Sequence, residues 1–186
     1  ARDYKVFDPF VQLFASRGFA VLQVNFRGSN GYGLEYQQAG YNQWGNKMQT
    51  DLIDGLNCAK ENRNANTDKA CIVGASYGGY AALVAGFQTP NQFKCIASIA
   101  GISDLDKQVS HCRVRDKFKA PVLLIHGQAD TRVDFVQSEL MHKELQKAGK
   151  DSKFVTFKFG THNLNDAANR KVAMDELDKF LKKHLN

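Results

Sequence analysis

Ser76 stands in the run Gly74-Ala75-Ser76-Tyr77-Gly78, a serine with a glycine two residues away on either side. A serine hydroxyl is a poor nucleophile at neutral pH. It attacks a carbonyl only when a histidine takes its proton and an acid orients that histidine. The spacing fits a strained strand-to-helix turn that lifts the hydroxyl out, with amide donors for an oxyanion at the helix N-terminus. Chance gives the bare pattern in about 6% of chains this long, so its weight rests on a strand before it and a buried helix after it. The alternative is a structural glycine turn. Of five histidines, only His162 stands just after the final predicted strand and before the terminal helix. His126 falls within or just past a buried strand, His142 in a helix, and His184 near the end. Asp130 follows the run Val122-Leu123-Leu124-Ile125-His126-Gly127 and could orient a histidine. Asp104, after the strand ending near Ala100, competes with it. Asp130 is preferred because acid and base on consecutive strand ends is the simpler geometry.

The elements that would hold these residues can be read from hydrophobic spacing. Val6, Phe7, Phe10, Val11 and Phe14 recur at helical intervals, and Gly18 stands where that helix would close. Phe19 to Val24 reads as a strand, followed by the turn-rich loop Arg27 to Gly33. Thr50 could cap a helix carrying Leu52, Ile53, Leu56 and Ala59. Ala70 to Val73 is a strand leading to Ser76, and Tyr80 to Phe87 is apolar on nearly every side, as a helix buried under a sheet must be. Phe93 to Ala100 and Val122 to His126 read as buried strands. Val136 to Ala148 is an amphipathic helix stopped by Gly149, Phe154 to Phe159 the last strand, and Ala173 to Leu185 the terminal helix. Strands alternating with helices imply parallel pairing and the α/β class, in which ligands bind at the carboxyl ends of the strands.

At 186 residues, 43% hydrophobic and 24% charged, the chain suits one domain with a substantial core. No apolar run approaches the roughly 20 residues of a membrane span, and the first residues lack a signal peptide's apolar core. The net charge of +6 comes from lysines spread over the second half, which reads as a solvated basic face and not a nucleic-acid site. Cys58, Cys71, Cys95 and Cys112 form no C-x-x-C pair. They read as buried thiols, with a disulfide the lesser alternative, and reduced cysteines lean towards the cytoplasm. Homo-oligomerisation is left open.

The chain order Ser76, Asp130, His162 is that of the α/β-hydrolases. Beyond that order, Ala15 to Ser29 with its N-F-R-G-S segment, Gly74 to Gly79, and Ala120 to Val133 resemble the catalytic domain of the prolyl oligopeptidase family of serine peptidases, nearest its acylaminoacyl and dipeptidyl peptidase branches. The resemblance implies an α/β-hydrolase with a mostly parallel sheet and helices on both faces, acting on short peptides or acyl-peptides without metal or organic cofactor. It implies Ser76 as nucleophile, Asp130 as orienting acid, His162 as general base, Tyr77 as a backbone oxyanion donor, and Arg132 as a ligand for a substrate carbonyl. Trp44 could line the site or pack its loop. Three departures accompany it. An H-G-G-P segment that completes the family's oxyanion site is absent, and one such donor is worth about 3 kcal/mol. The strand bearing it would separate the Phe19 and Ala70 strands, so its absence leaves the Phe19 strand without a neighbour. Residues 104–117 are far shorter than the family's helical excursion, with an abrupt join near His111-Cys112-Arg113, and the family's propeller is missing. The expectation is that residues 1–186 are one catalytic domain forming part of a longer polypeptide. A carboxylesterase and a non-catalytic hydrolase-like domain remain alternatives.

Overall fold

The computed structural model of the chain describes residues 2–103 and 115–185. It forms two compact units, Ala1–Thr67 and Asp68–Asn186.

The first unit is helical among its described residues. Helix α1, Pro9–Ser16, starts where Asp8 caps it, its carboxylate accepting from the amides of Phe10 and Val11 at 2.8 and 3.1 Å, with proline in the first turn. This start excludes Val6 and Phe7, which are exposed, so the apolar stripe read from the sequence begins too early. Gly18, at φ 86°, closes the helix as expected. Phe19 to Val24 forms no strand, and Val21 and Leu22 are exposed. A single extended segment has no ladder for its amides, and no strand pairs with it among the described residues. The expected turns follow over residues 27–33, then α2, Leu34–Gln38, and α3, Lys47–Arg63. Thr50 lies inside α3, its hydroxyl donating to the Lys47 carbonyl at 3.0 Å, and does not cap it. Arg27 ties its loop to α3 through Asp51, donating from its backbone amide, Nε and Nη2 at 2.9, 2.7 and 2.6 Å. That guanidinium holds the Asp51 carboxyl below its ordinary pKa.

The second unit is a four-stranded parallel sheet of β1, Cys71–Ala75; β2, Cys95–Ile99; β3, Val122–Gly127; and β4, Ser152–Phe157, in spatial order β1-β2-β3-β4. Its helices are α4, Tyr77–Gln88, and α5, Phe135–Lys147, which follow β1 and β3, and the terminal α6, Ala167–Leu185. Every residue of β2 and β3 is buried, which is why those strands read as nearly continuous apolar runs, interrupted by Ser98 and His126. On one face Ala82 and Leu83 of α4 and Met141 and Leu145 of α5 pack with Ile96, Val122, Leu124 and Phe118. Leu123 and Ile125 are equally buried and alternate to the opposite face, which α6 covers with Ala173, Leu177 and Leu181. The expected α/β class, with helices on both faces of a parallel sheet, is what the chain forms.

The cysteines depart from the sequence reading. Cys71 and Cys95 stand opposite each other on β1 and β2, Cα atoms 4.7 Å apart, and are joined as a disulfide. Their pairing depends on which strands become neighbours and in what register, which no C-x-x-C spacing reveals. Cys58 is free but exposed, so neither it nor this pair is a buried thiol. The leaning towards the cytoplasm, which rested on reduced thiols, loses its premise. Cys112 lies outside the described residues.

Candidate active site

Parallel pairing brings the strand ends to one edge of the sheet. Ala75 registers with Ile99, Ile99 with Ile125, and Gly127 with Phe157. Ser76, Asp130 and His162 follow the carboxyl ends of β1, β3 and β4, the edge at which α/β folds bind ligands.

Ser76 sits between β1 and α4 with φ 56° and ψ −119°, a conformation that costs a non-glycine residue about 1–3 kcal/mol. Its amide donates to the Ile99 carbonyl at 2.9 Å, and its carbonyl receives the Tyr80 amide at 3.1 Å, so the turn is pinned from the sheet and from the helix. A Cβ on Gly74 would lie 2.1 Å from the Gly78 carbonyl oxygen, whereas one on Gly78 would meet nothing. The close approach of strand and helix therefore requires Gly74 in particular. Tyr77 opens α4 and directs the positive end of that helix towards the Ser76 turn. Its half-buried phenol is pushed well up from its ordinary pKa by burial and then by Tyr80, whose ring centroid is 5.6 Å away.

The acid and base loops are joined at a second glycine contact. A Cβ on Gly127 would stand 2.1 Å from the Gly160 carbonyl oxygen, so the chain beyond β3 and the chain beyond β4 run backbone to backbone. The amides of Gln128 and Ala129 donate across this seam to Phe157 and Gly160 at 2.9 and 3.0 Å. Asp130 and His162 extend from the two sides of the seam and meet, His162 Nδ1 lying 2.7 Å from Asp130 Oδ2. A carboxylate facing Nδ1 places the ring proton there and leaves Nε2 to accept. The second oxygen, Oδ1, receives the amides of Arg132 and Val133 at 2.8 and 3.0 Å. The side chain of Asp130 is wholly buried. Burial raises its pKa, but the Val133 amide, the His162 ring and the Arg132 amide outweigh it, so the carboxyl titrates below its ordinary value.

The structure thus joins Asp130 to His162 and sets Ser76 on the same sheet edge. The His162 ring is hydrogen-bonded to Asp130 and, among the described residues, not to Ser76 Oγ. Hydrogen bonds of this kind commonly tighten only around substrate. Asp104 lies outside the described residues. The guanidinium of Arg132 is exposed and makes no ion pair among the described residues. Trp44, in the first unit, is 48% exposed.

His126 escaped the sequence reading as a participant. Its ring is fully buried, and Nε2 lies 3.1 Å from both Asp130 Oδ2 and the Val133 carbonyl, with Nδ1 2.7 Å from Ser138 Oγ. Burial holds its pKa below the ordinary imidazole value. A polar ring inside an otherwise apolar strand must find partners, and the nearest carboxylate four residues on was the available signal.

A strained serine elbow with a buried acid–imidazole pair on the same parallel sheet edge is the arrangement of the α/β-hydrolase class. The sequence profile of the prolyl oligopeptidase family matches residues 5–113 and 107–186, and the chain belongs to that family. The join inferred near His111-Cys112-Arg113 falls where the two matches overlap, outside the described residues. The chain is similar to dipeptidyl aminopeptidase BIII of Pseudoxanthomonas mexicana, 31% identical over 97% of this chain and 31% of that protein. It is similar also to dipeptidyl peptidase family member 6 of Caenorhabditis elegans, 30% identical over 100% of this chain and 30% of that protein. Among solved structures, a puromycin-hydrolyzing peptidase of Mycobacterium tuberculosis superposes with TM-score 0.94 at 28% identity, covering 100% of this chain and 32% of that one. The acylaminoacyl peptidase of Pyrococcus horikoshii gives 0.86 at 26% identity, covering 95% and 34%. The chain spans about a third of the length of these proteins.

Proposed function

We propose that this chain is the catalytic portion of a serine peptidase that hydrolyses peptide or acyl-amino-acid bonds of short peptides through an acyl-enzyme. Ser76 Oγ attacks the scissile carbonyl carbon as His162 Nε2 takes its proton, and Asp130 stabilises the resulting imidazolium. The oxyanion receives the Tyr77 amide at the head of α4. His162 then passes its proton to the leaving amine, the C–N bond breaks, and water, deprotonated by the same ring, releases the acid and restores Ser76. Arg132, exposed beside the acid loop, holds a substrate backbone carbonyl. No step requires a metal or organic cofactor. The observation that carries this reading is the 2.7 Å contact of His162 Nδ1 with a buried Asp130, on the same carboxyl edge of the sheet as the strained Ser76 turn. The names of the similar proteins, dipeptidyl, acylaminoacyl and puromycin-hydrolyzing peptidases, support amide bonds of short N-terminal units as the substrate class.

Labelling with a fluorophosphonate probe tests the nucleophile. The wild-type protein is expected to label and Ser76→Ala not to, while absence of label on the wild type contradicts the proposal and favours a non-catalytic domain. Turnover of an aminoacyl anilide above that of an aryl ester supports a peptidase, and the reverse order assigns a carboxylesterase.

A further inference from the structure

We infer that His126 is a positioning residue for the proposed triad, its Nε2–H fixing the Asp130 carboxylate in the orientation that receives His162. This rests on the reading of Asp130 and His162 given above. Nε2 faces two groups that only accept, the ionised carboxylate and the Val133 carbonyl, each at 3.1 Å. Nε2 must therefore carry a proton. Nδ1 faces the Ser138 hydroxyl at 2.7 Å, a group able to donate. A neutral ring protonated at Nε2 and accepting at Nδ1 satisfies every partner, and a buried neutral ring agrees with its lowered pKa.

The consequence for Asp130 is mechanical. Its Oδ1 takes two amides from its own loop, and its Oδ2 takes His162 from the loop after β4. His126 is the donor that comes from the sheet, since it belongs to fully buried β3 and is braced by Ser138 of α5. By bonding both Asp130 Oδ2 and the Val133 carbonyl, it fastens the two ends of the Asp130 to Val133 turn to the rigid part of the fold. Without that donor, Oδ2 keeps only a partner on another loop, and the carboxylate can turn away from the line of His162 Nδ1.

The test compares His126→Leu, which removes the donor, with His126→Gln, whose amide can donate to Oδ2 from a similar position. Both are made in the intact protein and read by the fluorophosphonate labelling rate. The leucine variant is expected to label about 10- to 100-fold more slowly, as misplacement of a catalytic group does, and the glutamine variant within about threefold of wild type. Equal rates for wild type and the leucine variant overturn the inference, as does a glutamine variant as slow as leucine. In the wild type, nitrogen-detected NMR of the ring is expected to show the proton on Nε2 of His126. A proton on Nδ1 instead overturns the inference without any variant, and this measurement decides should the leucine protein not fold. A wild type that never labels, with the Nε2 proton in place, counts against the catalytic reading and not against the positioning geometry.

Discussion

The Ser76 elbow and the Asp130–His162 pair occupy the same sheet edge but are built by opposite means. The elbow is a matter of backbone: a positive φ at Ser76, two amide bonds and a carbonyl that fits only against Gly74. Its side chain makes no hydrogen bond among the described residues. The acid–imidazole pair is a matter of side chains and distant segments, with four N–H groups from two loops and a strand converging on one buried carboxylate. A nucleophile must stay free to reach substrate, so its position is set without tethering it. An orienting acid must not move, so every lone pair that can be held is held.

The comparison can be broken from either side. The largest expected effect is that of Ser76→Ala, which abolishes probe labelling and turnover while leaving the unfolding midpoint close to wild type, because the elbow depends on backbone. Next is Asp130→Asn, expected to lower the labelling rate about 10⁴-fold, since an amide cannot hold the Nδ1–H tautomer of His162. Retention of full rate by that variant would detach the acid loop from the chemistry. Opening the Cys71–Cys95 bridge between β1 and β2, which closes a separation of 24 residues, is expected to lower stability by about 3 kcal/mol in chemical denaturation. A drop in labelling larger than the unfolded fraction explains would show that the bridge also positions the Ser76 turn.

The smallest expected effect is on the pH dependence of stability. Asp130 titrates below its ordinary value when folded, so its contribution is complete above about pH 4 and is lost as pH falls through the folded pKa. His126 also has a depressed folded pKa. Below about pH 6.5 the unfolded chain therefore takes up a proton that the folded ring refuses, and stability falls with acidification. His142 and His184, both lowered by burial, act in the same window. Denaturant titrations from pH 8 to 3 should show two stages of loss, with His126→Gln reducing the upper stage and Asp130→Asn the lower one. An unchanged upper stage in the His126 variant would contradict the neutral buried ring.

What could be read from the sequence follows the same division. The elbow is local, five residues between an apolar strand and an apolar helix, and it stands where the spacing placed it. The end of β3 was legible because Gly127 follows a short apolar run, whereas the last strand, expected over Phe154 to Phe159, is β4, Ser152–Phe157, and so begins and ends two residues earlier. The link between Asp130 and His162 was an expectation of geometry, and the seam that makes it, Gly127 against Gly160, joins residues 33 positions apart. Phe19 to Val24 misled because strand-forming residues announce a strand only if a partner exists. Cys71 and Cys95 misled because register is a property of neighbours. His126 was assigned to its strand and left there, although burial obliged its ring to bond something.

A crystal structure of the phosphonylated protein would test the central claim most directly. The account predicts phosphorus bonded to Ser76 Oγ, a phosphoryl oxygen on the Tyr77 amide, and His162 within hydrogen-bonding distance of the adduct while still bonded to Asp130. Phosphorus on another residue, or an imidazole turned away from the adduct with its Asp130 contact broken, would contradict it.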